Sequence, residues 1–137
     1  MKTTLLILIC LSAVVTAASA LSPADTRVFE LRTYHTASPA KLEALHARFR
    51  NHSKTLLTKH GMTLVGFWVP TDADKGSGNT LVYLVAHKSR EAATASWAAF
   101  RADPEWVRVK AESEKDGVLA EKVESVFMSP TDYSAMK

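Results

Sequence analysis

Ser96-Trp97-Ala98-Ala99-Phe100-Arg101-Ala102-Asp103-Pro104-Glu105-Trp106 encodes two helices and the break between them. Upstream, Ser89 is placed to cap a helix running to about Arg101, with Ala93, Trp97 and Phe100 recurring on its inner side. Asp103 then offers a second cap and Pro104 a first helical position, so a new helix starts and runs from Glu105 to Lys115 with Trp106 and Val109 facing inward. Gly117 stops it.

The flanking segments complete the pattern. Val28 to Tyr34 alternates, with Phe29, Leu31 and Thr33 on one face and Glu30, Arg32 and Tyr34 on the other, which is the period of a strand. Ser38 and Pro39 open a long helix in which Leu42, Leu45, Phe49 and Leu56 share one face, and Gly61 ends it after five or six turns. Met62 to Val69 and Thr80 to His87 read as strands joined by the polar, glycine-containing loop from Pro70 to Asn79. Leu64 and Trp68 oppose Val65 and Phe67, and Leu81, Tyr83 and Val85 oppose Val82 and Leu84. Val118 to Met128 contains the last strand.

The order is β-α-β-β-α-β, an α+β fold of the ferredoxin-like type with a four-stranded antiparallel sheet. Helices shield one face of such a sheet, yet the central strands are apolar on both. Leaving large side chains in water forfeits roughly 25 cal/mol per Å2. A second copy stacked sheet to sheet removes that cost, so a homodimer in the form of a dimeric α-β barrel is expected.

The N-terminus carries Lys2, an apolar run from Leu5 to Val15 and then Ala18-Ser19-Ala20, the order of a cleaved secretory signal. The expected organisation is a signal peptide over 1–20, a linker over 21–27, the domain over 28–128 and a tail over 129–137 that is loose or drapes over a partner. Such a chain is secreted or periplasmic and has no membrane span in its mature form. Cys10, the single cysteine, leaves with the signal, which removes disulfide, cysteine-metal and cysteine-nucleophile chemistry. Loss of Lys2 takes the formal charge from +3 to +2, and the cations are interspersed with acids, as in Lys110-Ala111-Glu112-Ser113-Glu114-Lys115-Asp116, a pattern that does not favour nucleic acid.

Three segments, Phe29-Glu30-Leu31-Arg32-Thr33-Tyr34, Lys59-His60-Gly61 followed by Val65-Gly66-Phe67-Trp68, and Phe100-Arg101-Ala102-Asp103-Pro104-Glu105-Trp106, resemble the NIPSNAP family of the dimeric α-β barrel superfamily. The resemblance covers 28–128 and implies a ferredoxin-like protomer pairing through its sheet. It implies no established reaction and no catalytic set. Superfamilies similar in fold include cofactor-free monooxygenases, chlorite dismutases and haem-degrading enzymes, and fold does not imply function.

Ligand-pocket candidates are His52, Arg32, Tyr34, Trp68 and Trp97. At about 100° per residue His52 sits at the edge of the apolar arc of the long helix, pointing toward the gap between helix and sheet, where an imidazole could relay a proton, ligate haem iron or serve as a hydrogen-bonding strut. Glu30, Arg32 and Tyr34 form either an anion or phenol site or, the preferred reading, an ion-pair set across the dimer interface. Trp68 and Trp97, with Trp106, line a flat cavity or simply fill the core. No two histidines stand three or four apart in a helix, and Asp72-Ala73-Asp74 lacks the glycine and terminal glutamate of a calcium loop, so no metal site is assigned. The expected function is binding of a small hydrophobic or aromatic ligand without a cofactor. The alternatives are a cofactor-independent monooxygenase or haem-handling enzyme, and a protein-interaction module.

Overall fold

A computed structural model describes residues 27–137. The signal peptide and most of the linker expected from the sequence lie outside the described residues. The elements are β1 (Val28–His35), α1 (Pro39–Arg48), a π-helical turn (Phe49–Ser53), α2 (Lys54–Lys59), β2 (Thr63–Trp68), β3 (Thr80–His87), α3 (Arg90–Ala102), α4 (Pro104–Ser113) and β4 (Lys122–Met128), with a short 3-10 turn (Ala73–Lys75) in the β2–β3 loop. All pairings are antiparallel in the order β2-β3-β1-β4. This is the ferredoxin-like β-α-β-β-α-β arrangement.

The helix starts follow their caps. The Ser38 and Ser89 side-chain oxygens accept from the Lys41 and Ala92 amides, and Asp103 accepts from that of Glu105, with Pro39 and Pro104 supplying the preset φ of a first turn. Gly61 leaves α2 at φ +82°, a left-handed conformation that a side chain would strain.

Two local features depart from the sequence reading. The long helix is interrupted at Phe49–Ser53, where i→i+5 bonding turns the chain less per residue than an α-helix does. Strand β2 shifts register between Leu64 and Gly66, so Leu64 and Phe67 share a face opposite Val85 and Tyr83, and Trp68 joins Gly66 on the other. Trp68 folds back over Gly66 so closely that a Cβ there would lie 2.6 Å from the indole.

One face of the sheet presents Tyr34, Leu64, Phe67, Leu81, Tyr83 and Val85 to the helices, where they pack with Leu45, Phe49, Leu56, Leu57, Trp97 and Phe100. Each large side chain so buried contributes about 1.5–3 kcal/mol relative to exposure. On the opposite face Trp68, Val126 and Met128 are 52%, 54% and 38% exposed beside the half-buried Leu31, Val82 and Leu84. The chain beyond β4 turns back onto the Phe29 end of that face, where Pro130, Thr131 and Met136 form a hollow with Phe29 and Leu84.

Asp103 links three elements: it caps α4 and accepts from Lys59 Nζ and His60 Nε2, both at 2.7 Å, at the end of α2. Those partners hold its carboxyl well below the usual range. Asp103→Ala is therefore expected to lower Tm by roughly 4–8 °C in a thermal melt at neutral pH, about what a lost cap costs in a domain of this size.

Candidate functional site

The helix-facing side of β1 carries Glu30, Arg32 and Tyr34, and the register places His87 and Ser125 beside Glu30 from β3 and β4. The Glu30 carboxylate is 1% exposed. Arg32 Nη1, Ser125 Oγ and Trp97 Nε1 donate to it at 2.6 Å, and His87 Nε2 donates at 3.0 Å. An ionised carboxylate only accepts, which fixes a proton on His87 Nε2. Burial by itself would raise the Glu30 carboxyl, but the bonds from His87, Ser125, Trp97 and Arg32 outweigh it and hold it at about 2. Glu30, Arg32 and Tyr34 thus point under the helices, which corrects the expectation that they pair across a dimer interface.

The polar chain continues inward. The Arg32 guanidinium lies 4.2 Å from the Trp97 ring centroid and points Nη2 at the Tyr34 hydroxyl, 3.5 Å away, which in turn lies 3.1 Å from that of Tyr83. Burial pushes the Tyr83 hydroxyl well above its ordinary range, so it stays neutral. The two phenols border a narrow chamber of about 10 Å3, lined also by Arg48, Phe49, Ser53, Trp97 and Trp106. That is room for about one water molecule. Ser53 Oγ and Arg48 Nε are buried without a hydrogen-bond partner, an uncommon state for buried polar atoms.

Phe49 separates this chamber from a larger opening. Its ring lies 5.9 Å from that of Tyr34, 5.2 Å from Tyr83 and 5.6 Å from Phe67. On its outer side, a vestibule of about 400 Å3 opens at the β2 edge, with Phe49, Phe67, Leu81, Trp68 and Val69 as apolar walls and His46, Arg50 and Lys54 contributed by α1, the π turn and α2. Its volume is in the range of small-molecule sites, which the inner chamber alone is not.

Of the residues singled out in the sequence, the structure brings Arg32, Tyr34 and Trp97 together. Trp68 belongs to the opposite sheet face by register and folds over Gly66, yet at the β2 edge it also borders the vestibule, apart from Arg32, Tyr34 and Trp97. His52 lies in a separate open groove of about 300 Å3 between the π turn and α4, beside Ala44, Arg48, Asn51, Val109 and Glu112. The π turn explains this. Its smaller rotation per residue carries His52 out of the arc facing the sheet and brings Ser53 into it. That groove is open, with Arg48, Asn51, Glu112 and Ser113 set among Ala44, Ala47 and Val109, and so differs from the enclosed apolar slot a porphyrin needs, which leaves His52 unsupported as an iron ligand. Among the described residues no group of three His, Cys, Asp or Glu side chains is arranged to hold a metal. Sequence reasoning missed Ser53, Arg48, Phe49 and Tyr83; only Tyr83 left a trace, as a hydroxyl-bearing side chain in the most apolar strand.

Residues 29–135 match the family model described as NIPSNAP. Among solved structures, the chain is similar to a NIPSNAP family protein of unknown function from Agrobacterium tumefaciens (23% identity, 83% of this chain and 96% of that one, TM-score 0.70). It is similar at 17% identity to a Streptomyces coelicolor monooxygenase in complex with Nanaomycin D (80% of this chain, 92% of that one, TM-score 0.57). A dimeric ferredoxin-like protein from an uncultured marine organism matches at 13% identity (82% and 94%, TM-score 0.57). At these identities the likeness is one of fold. A comparison with curated protein sequences gave no match.

The depressed Glu30 carboxyl makes stability depend on pH. Its contribution is fully present above the ordinary value of 4.5 and is lost as pH falls toward about 2, amounting to on the order of 3 kcal/mol. Urea melts of wild type should weaken through that window, and Glu30→Gln should be less stable at neutral pH with a flatter acid profile.

Proposed function

Because the chain belongs to the NIPSNAP family, we propose that it is an exported homodimer that binds a small aromatic molecule between its helices and sheet. The observation that carries the reading is that Phe49 lines both spaces and stands between them. An opening of ligand size ends on an aromatic wall, and directly behind that wall lie two phenols and the unpaired Ser53 and Arg48 atoms. A ligand whose ring replaces the Phe49 contacts and whose polar group meets those atoms would satisfy both.

Association through the open sheet face rests on the exposed Trp68, Val126 and Met128, a patch of the kind that marks an interface. The dimeric marine protein of the same fold is in keeping with it. Export rests on the N-terminal pattern ending in Ala18-Ser19-Ala20.

A second reading, cofactor-independent oxygenation, is favoured by one feature. The Glu30, Arg32, Tyr34 and Tyr83 chain joins a half-buried cation to two hydroxyls, groups of the kind that stabilise a phenolate oxygen. The monooxygenase of the same fold raises interest in that chemistry without establishing it here.

Titration with naphthalene alcohols and acids, followed by aromatic NMR shifts, tests the binding reading. Binding should perturb Tyr34 and Tyr83, and Tyr83→Phe should weaken it about 3- to 10-fold, the worth of one hydrogen bond. Absence of any aromatic ligand effect on these rings would refute the reading. Sedimentation should give two subunits for wild type and one for Val126→Asp, and N-terminal sequencing of the exported protein should begin at Leu21.

A further inference from the structure

The vestibule has a charge that its apolar walls do not require. His46, Arg50 and Lys54 stand along one side, over Phe49, Phe67 and Leu81, and no acid belongs to its lining among the described residues. Glu43, outside the lining, pairs with Arg50 at 2.8 Å, and both side chains are largely exposed, so solvent screens that pair. Lys54 makes no ion pair among the described residues. The helix built the row by its own geometry: His46, Arg50 and Lys54 are four apart, and the π turn falls between the first and last of them. Three cationic or protonatable groups on one wall of a hollow, facing aromatic residues on the other, define a chemistry.

From this we infer that the vestibule selects planar aromatic anions, with an arene carboxylate as the fitting class, and that Phe49 is the gate between it and the inner chamber. The carboxylate meets Lys54 and Arg50 at the rim, where charge-assisted bonds form. The ring lies against Phe67 and Phe49. Passage inward requires the Phe49 side chain to turn away from Tyr34 and Tyr83. The chain at Phe49 has a ready place for such movement, because the residue opens the π turn, where backbone bonding differs from the helix on either side. This inference rests on the binding role proposed above and specifies its ligand class.

Calorimetric titration of the full-length exported protein with 1-naphthoate, 1-naphthalenemethanol and 1-naphthylmethylamine tests it. The expected order is anion over alcohol over amine, with the acid about 5- to 10-fold tighter than the alcohol in low salt and its advantage shrinking in high salt. Lys54→Gln and Arg50→Gln, both exposed positions, should each remove most of that advantage, bringing the acid to within about 2-fold of the alcohol measured on the same variant. Phe49→Leu, which keeps an apolar side chain in the core, should speed the arrival of 1-naphthoate at Tyr83, read by stopped-flow fluorescence and ring shifts. Equal affinity for all three compounds, or an advantage indifferent to Lys54 and Arg50, overturns the charge selection while leaving aromatic binding standing. An unchanged rate in Phe49→Leu overturns the gate. No binding of any of the three overturns this inference and the binding role together.

Discussion

The ionised carboxylate of Glu30 is the constraint on which the rest of the structure depends. A buried charge of this kind is tolerated only when every lone pair is occupied, since desolvation alone would exceed the whole stability of a small domain. Here its occupants come from three strands and a helix: Arg32 from β1, His87 from β3, Ser125 from β4 and Trp97 from α3. Any slip of register by one residue would leave the charge with empty acceptors and turn apolar side chains to the wrong face. The carboxylate thus specifies one alignment of the sheet and one height of α3 above it. Through Arg32 it also aims a half-buried guanidinium at Tyr34, so the same group that fixes the fold orients the candidate site.

The π turn is the second determinant, and it acts by rotation. Leu42 and Leu45 before it, and Leu56 and Leu57 after it, are buried, so both flanking helices keep an apolar face on the sheet. Within the turn the phase changes. Ser53 enters the arc with its hydroxyl unpaired, His52 leaves it, and Phe49 is held among three aromatic rings. An uninterrupted helix would put the apolar stripe through this region without a break. The irregularity is what creates a chamber with polar atoms behind an aromatic wall.

Which parts of this were legible in the sequence follows from the range of the interactions involved. Caps at Ser38, Ser89 and Asp103, the stop at Gly61 and the alternation of β1 and β3 are local, and they declare themselves within a few residues. Element order then led to the fold, and Arg32, Tyr34 and Trp97 were recognisable as chemistry on a strand and on the inner side of a helix. The bulge in β2 and the π turn have no local signature. Each changes the facing of the residues beyond it, which is why His52 lies outside the helix–sheet gap to which it was assigned, and why Trp68 turns to the open face and meets the vestibule only at the β2 edge. The direction of Glu30 was equally hidden, because alternation separates two faces without saying which one the helices cover.

The two faces of the sheet therefore carry different requirements. The helix-facing side needs fixed hydrogen bonds and can admit a ligand only if Phe49 moves, because the inner chamber holds no more than about one water. The opposite side, with Trp68, Val126 and Met128 exposed, needs only a complementary apolar surface. Side chains alternate along β1, so Leu31 on one face and Arg32 on the other are neighbours on the same backbone. Covering the open face would stiffen the strand that carries Glu30, Arg32 and Tyr34, while α1, the π turn and α2 remain on the side away from that cover. Rigidity would then be concentrated where charge must be aimed, and the turn that carries Phe49 would stay outside it.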